Sequence, residues 1–109
     1  MNSSILAEVP IFAGLKQSAL DQLTHCSTRR WFKRGSVIVT EGDQADGLYV
    51  VVSGRIKVLL SDNEGKEVVL TVESRGACFG EIALLDEEPR SASVAAPEKT
   101  ELLIIYRDH

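Results

Sequence analysis

The chain of 109 residues has no apolar run approaching the ~20 residues that cross a bilayer. Its start, Met1-Asn2-Ser3-Ser4-Ile5-Leu6-Ala7-Glu8, lacks a basic segment followed by a long apolar stretch, so neither a secretory leader nor a membrane contact is expected and the cytoplasm is the expected compartment. Positive charge is also short. Twelve bases against sixteen acids leave a net charge of −4, which opposes the counterion release that drives general nucleic-acid binding. Any action on DNA is therefore expected through a part of the protein outside this chain. Cys26 and Cys78 are far apart, and His25 and His109 form no close pair, so the sequence offers neither a disulfide framework nor a metal cage. Both cysteines read as reduced thiols in or near the core, His25 as a residue of a helical stretch and His109 as the last residue. No catalytic set and no metal site is expected.

What is present is an ordinary globular composition, 44% apolar and 26% charged, sized for one domain with one modest core. Leu15, Leu20 and Leu23 recur with helical spacing, Ser18 is a candidate cap, and Val9-Pro10-Ile11-Phe12 reads as a docking turn ahead of them. From Thr28 onward, short β-rich runs follow one another: Trp31-Phe32, Val37–Thr40, Leu48–Val52, Ile56–Leu60, Val68–Val72, Ala92–Ala96 and Leu102–Tyr106. No helix-length segment separates them, so a parallel α/β arrangement is poorly supported and an antiparallel barrel or sandwich is expected. Ser53-Gly54 reads as a tight hairpin and Asp62-Asn63-Glu64-Gly65 as a longer one, while Gly35, Gly42, Gly47 and Gly76 mark run boundaries.

One stretch breaks the β pattern: Gly80-Glu81-Ile82-Ala83-Leu84-Leu85-Asp86-Glu87-Glu88-Pro89-Arg90-Ser91-Ala92. Glu81 to Leu85 has helical propensity for about one turn before the acidic run and Pro89 end it. The N–H groups of such a helix start are unpaired and suit an anion, and Arg90 is near enough in sequence to fold back beside them. Glu81 would repel that anion unless it accepts from a neutral hydroxyl, such as a ribose 2′-OH; Ser91 adds a small donor. Phosphate with a neighbouring free 2′-OH describes a 3′,5′-cyclic nucleotide. Plainer readings stand beside this one: a structural Glu81–Arg90 ion pair, a solvated Arg90, a turn role for Ser91. The run Asp86-Glu87-Glu88 reads as a solvated loop rather than a metal site.

Phe79-Gly80-Glu81-Ile82-Ala83-Leu84 followed by Pro89-Arg90-Ser91-Ala92 resembles the phosphate-binding cassette of cyclic-nucleotide-binding domains. Lys33-Arg34-Gly35, Glu41-Gly42, Leu48-Tyr49-Val50, Ser53-Gly54-Arg55 and Gly76 extend the likeness over nearly the whole chain. It is greatest toward the bacterial catabolite-activator and fumarate-nitrate (Crp/Fnr) regulators. The resemblance implies a mainly β fold with flanking helices, a double-stranded β-helix or jelly roll, with N-terminal helices over about 1–27 and the roll over about 28–107. It implies that Glu81 accepts from the ribose 2′-OH, that Arg90 pairs with the cyclic phosphate, that Ser91 bonds the phosphate, and that the amides of Gly80, Ile82 and Ala83 line the rest. Leu70, Thr71 and Val72 are the implied apolar wall for ribose or base. Ser91 after the arginine favours cAMP, with cGMP the second candidate.

In such regulators a long helix after the barrel supplies much of the base contact and the homodimer interface, and a helix-turn-helix domain follows it. This chain ends at Tyr106-Arg107-Asp108-His109, where that helix is expected to begin. The resulting expectation is a ligand sensor that is not an enzyme, takes no cofactor besides its cyclic nucleotide, and reaches DNA only through a C-terminal domain outside the chain. The same fold serves as the regulatory domain of channels, kinases and transporters, and an orphan sensor for another ligand is a further alternative. A metal-dependent cupin needs clustered histidines, an iron–sulfur cluster four cysteines and haem a histidine on the barrel, none of which the sequence supplies.

Overall fold

A computed structural model of the chain describes residues 3–80 and 89–106. Two helices open it, α1 (Ser3–Ala7) and α2 (Gln17–His25), separated by a 3-10 turn over Pro10–Phe12. Eight strands follow: β1 (Ser27–Phe32), β2 (Val37–Val39), β3 (Gly47–Ser53), β4 (Ile56–Ser61), β5 (Glu67–Glu73), β6 (Cys78–Phe79), β7 (Ser93–Ala95) and β8 (Thr100–Tyr106). They form two four-stranded sheets, β1-β8-β3-β6 and β2-β7-β4-β5, in which every pairing is antiparallel. This is the mainly β jelly roll with flanking helices. All seven sequence-read runs fall on strands; Cys78–Phe79 is the addition, two residues that pair with Val50 and Tyr49.

The core has two layers, and strand alternation assigns residues to each. Phe32, Tyr49, Val51, Ile56, Val94, Leu102 and Ile104 turn into the space between the sheets. Their neighbours Val50, Val52 and Leu103 turn to the other face of the first sheet, where Ile5, Leu6, Val9 and Leu20 cover them. Strand β3 is consequently apolar on both faces, which is why Leu48–Val52 is a continuous run rather than an alternating one. The second sheet has no helical cover among the described residues.

Several local expectations are corrected. Ser18 is not the cap of α2: the helix starts at Gln17, Lys16 holds the cap position, and no side chain caps the N-terminus. Leu15 precedes the helix and is exposed. Cys26 is exposed rather than near the core, because the chain leaves α2 there, its N–H bonding back to the carbonyls of Gln22 and Thr24. Cys78 is half-buried against the helix-side core.

Ser53-Gly54 is not a hairpin. β3 and β4 belong to different sheets, so these residues carry the chain across the sandwich. Gly54 turns there with φ +87°, and a Cβ on it would stand 2.6 Å from both the Lys99 carbonyl oxygen and Thr100 Oγ1. Thr100, fully buried, ties the corner: its Oγ1 lies 2.8 Å from the carbonyl oxygens of Arg55 and Glu98 and accepts from the Arg55 N–H at 3.2 Å. Asp62–Gly65 is a true hairpin between β4 and β5, held by Asp62 Oδ1 accepting from the N–H groups of Glu64 and Lys66.

Candidate functional site

The Arg90 side chain is 4% exposed, although arginine is among the residues least often buried. Its backbone is clamped first: the Arg90 N–H donates to the Asp43 carbonyl and the Gly42 N–H donates to the Arg90 carbonyl, each at 2.8 Å. Next door, Ser93 Oγ accepts from the Glu41 N–H at 2.8 Å. The turn before β3 thus fixes where the arginine leaves the chain, and the side chain then runs inward across the ring of Tyr49, with Cζ 5.3 Å from its centroid.

The guanidinium is only half satisfied. Nη2 donates to Asp46 Oδ1 at 2.9 Å and to the Gly47 carbonyl at 3.2 Å. Nη1 is buried and has no hydrogen-bond partner among the described residues. A buried donor on a charged group without an acceptor costs about 1–3 kcal/mol or more, so an anion placed against it would be stabilised. Gly80 makes room for the guanidinium. With φ +94°, it approaches so closely that a Cβ would land on Arg90 Nη1 and lie 3.0 Å from the Gly47 carbonyl oxygen. Gly80 and Arg90, ten residues apart in sequence, therefore meet in space.

Tyr49 and Asp46 complete the surroundings. The Tyr49 hydroxyl donates to Asp46 Oδ1 at 3.1 Å, and its ring stacks on Phe79 with centroids 4.9 Å apart. Burial first, and then the Asp46 carboxylate, push the Tyr49 phenol up to about 12. Asp46 accepts from both Tyr49 and Arg90 while its side chain stays 57% exposed, so water still solvates the carboxylate. The sequence reading missed Asp46; nothing in Asp43-Gln44-Ala45-Asp46-Gly47 separates it from any turn acid.

The sequence-read residues are distributed as follows. Gly80 and Arg90 are brought together. The plain reading of Arg90 as a solvated surface charge is excluded by its burial, and its described ion-pair partner is Asp46. Ser91 is exposed just beyond it. Glu81, Ile82 and Ala83 lie outside the described residues, as do Asp86-Glu87-Glu88 and His109. Leu70, Thr71 and Val72 lie on β5, an edge strand exposed along its length. Thr71 pairs with Val58 and shares its core-directed face, Leu70 is the extra residue of a bulge, and Val72 pairs with Lys57 on the opposite face. One wall can thus include Thr71 but not Val72 beside it.

Among the described residues no group of histidine, cysteine and acidic side chains could hold a metal, and no helix is long and apolar enough to cross a membrane. A buried guanidinium with one donor that finds no acceptor among the described residues can bind an anion.

Comparison with known proteins agrees with this geometry. The family model described as "Cyclic nucleotide-binding domain" matches residues 29–109. The chain is 38% identical over 99 residues to the cyclic AMP receptor protein of Thermus thermophilus, covering 91% of this chain and 46% of that one. It is 36% identical over 106 residues to a cGMP-dependent protein kinase of Plasmodium berghei, covering 97% of this chain and 12% of the kinase. Among solved structures, the regulatory domain of Toxoplasma gondii PKA, crystallised with cAMP, superposes with a TM-score of 0.90 at 27% identity, over 97% of this chain and 41% of that one. The chain spans about half the length, 46%, of the bacterial receptors it matches. With the matched model covering residues 29–109, well over half of the chain, the chain belongs to the cyclic nucleotide-binding domain family.

Proposed function

We propose that the chain is a regulatory ligand-sensing domain for a 3′,5′-cyclic nucleotide, with cAMP preferred, and that it is the sensor of a Crp/Fnr-type transcription regulator. The observation that carries the ligand class is the unpartnered Nη1 of Arg90 beside Gly80. A cyclic phosphate oxygen supplies the missing acceptor, and the fixed guanidinium supplies charge without reorganising when the ligand arrives. Glu81 takes the ribose 2′-OH, the amides of Gly80, Ile82 and Ala83 and the Ser91 hydroxyl complete the phosphate cradle, and Leu70 and Thr71 border the sugar or base. Ser91 after the arginine and the likeness to a cyclic AMP receptor support cAMP over cGMP.

In the full protein the ligand would bias a helix beyond the roll and so reorient attached DNA-binding domains within a homodimer. Calorimetric titration tests the ligand. Truncating one partner of a desolvated charge contact costs about 2–5 kcal/mol, so Arg90→Ala is expected to weaken cAMP binding roughly thirtyfold or more. Unchanged affinity in that variant would overturn the assignment. A thermal shift with cGMP equal to or larger than that with cAMP would overturn the preference, and none with either would overturn the ligand class.

A further inference from the structure

The described arginines divide into two groups. Arg29, Arg55, Arg75 and Arg90 pair with Glu101, Glu98, Glu8 and Asp46 at 2.5–3.1 Å. Arg30 and Arg34 form no ion pair among the described residues, and neither do their neighbours Lys33 and Lys99. In a chain with more acids than bases, four cations left unneutralised at one end of the sandwich are a local reversal of the overall charge. Beside them Trp31 is 54% exposed, with Lys99 Nζ 4.8 Å above its ring. Arg30 lies 4.9 Å over the ring of Phe32. Trp31, Phe32, Lys33, Arg34 and Lys99 line an open cleft of about 500 Å³. All of this sits on or beside β1, an edge strand that pairs with β8 alone among the described residues.

We propose that this cleft and the outer edge of β1 dock an extended acidic segment of a partner protein, anchored by one apolar side chain against Trp31. An exposed tryptophan ringed by cations combines a large contact area with charge selection, the composition of interface hot spots. An unpaired strand edge adds main-chain hydrogen bonds to an extended peptide. A nucleic acid fits less well. Glu98 and Glu101 flank the cluster, and the acidic balance of the chain would face the phosphate backbone beyond a few contacts. A short peptide needs only two or three carboxylates to match the cluster and stops before it meets those acids. The cleft lies outside the set of residues around Arg90, so its occupant does not compete with the cyclic nucleotide.

Trp31 is the single tryptophan of the chain, so its emission reads the cleft directly. The probe is a short synthetic peptide alternating glutamate with leucine and phenylalanine. A saturable blue shift is expected, weakening as salt is raised, and weakened about tenfold in the exposed charge-reversal variant K33E/R34E. Circular dichroism and the melting midpoint establish that this variant is folded, and Lys99→Glu provides an independent second reversal. Absence of a shift overturns the proposal, as does an equal shift in the folded variants. A stronger response to duplex DNA or to phosphatidylglycerol vesicles than to the peptide also overturns it.

Discussion

Replacing Arg90 with methionine should separate what the arginine does for the ligand from what it does for the fold. In the free protein the guanidinium leaves Nη1 without an acceptor among the described residues, an unfavourable contribution of about 1–3 kcal/mol, against two contacts of Nη2 at 2.9 and 3.2 Å. Asp46, the charged partner, is solvated enough to be left behind at small cost. Methionine keeps an unbranched stem to lie across Tyr49 and removes a buried charge, an exchange that is often neutral or stabilising. The melting midpoint of the free variant should therefore stay within about 4 °C of the parent, the shift that about 1 kcal/mol produces in a domain of this size, or rise. The ligand response should collapse. At a cAMP concentration 100 times its dissociation constant, the parent gains about 2.7 kcal/mol; a variant binding thirtyfold more weakly gains about 0.9 kcal/mol or less at that same concentration. Differential scanning fluorimetry with and without cAMP reads both quantities. A free variant melting more than about 10 °C below the parent, yet stabilised by cAMP to the same extent, would refute the reasoning: the arginine would then be structural.

Gly80→Ala should destabilise by about 1–3 kcal/mol, from the positive φ, and weaken cyclic-nucleotide binding because its Cβ displaces the guanidinium; urea midpoints and calorimetry measure the two effects. Thr100→Val keeps the shape but strips the corner of its hydroxyl, leaving the Arg55 N–H and carbonyl short of a partner, and should cost about 1–3 kcal/mol in urea denaturation. Tyr49, held neutral up to about pH 12 in the folded state against an ordinary 10, favours folding below pH 10 and loses that contribution as pH rises from 10 through 12. Unfolding measured across that range should show a weaker alkaline decline in Tyr49→Phe than in the parent.

Strand existence was legible because β-branched runs between turn residues leave little alternative, and the family was legible because its residue types sit at fixed spacing. What was not legible is which strand meets which. Ser53-Gly54 carries the turn residues of a hairpin, and only the positions of Lys99 and Thr100, nearly half the chain away, make it a crossing between sheets. Cys78–Phe79 is too short to carry a period, and is a strand only because Tyr49 and Val50 present a free edge. Asp46 was invisible for the same reason: its importance is its distance to Arg90, forty-four residues further on. Ser18 failed because a polar residue near a helix start is a tendency, while the actual start was fixed by docking Leu20 and Leu23 on the first sheet.

The one-sided helical cover has a kinetic consequence. Strands β3 and β8 are shielded on both faces, whereas β4 and β5 have one bare face and β5 has an open edge. Amide hydrogens should therefore exchange slowest in β3 and β8, by near-global opening, and fastest in β5, by local fraying. Fraying of the β4–β5 hairpin and the overall stability can therefore be tuned by separate sets of residues.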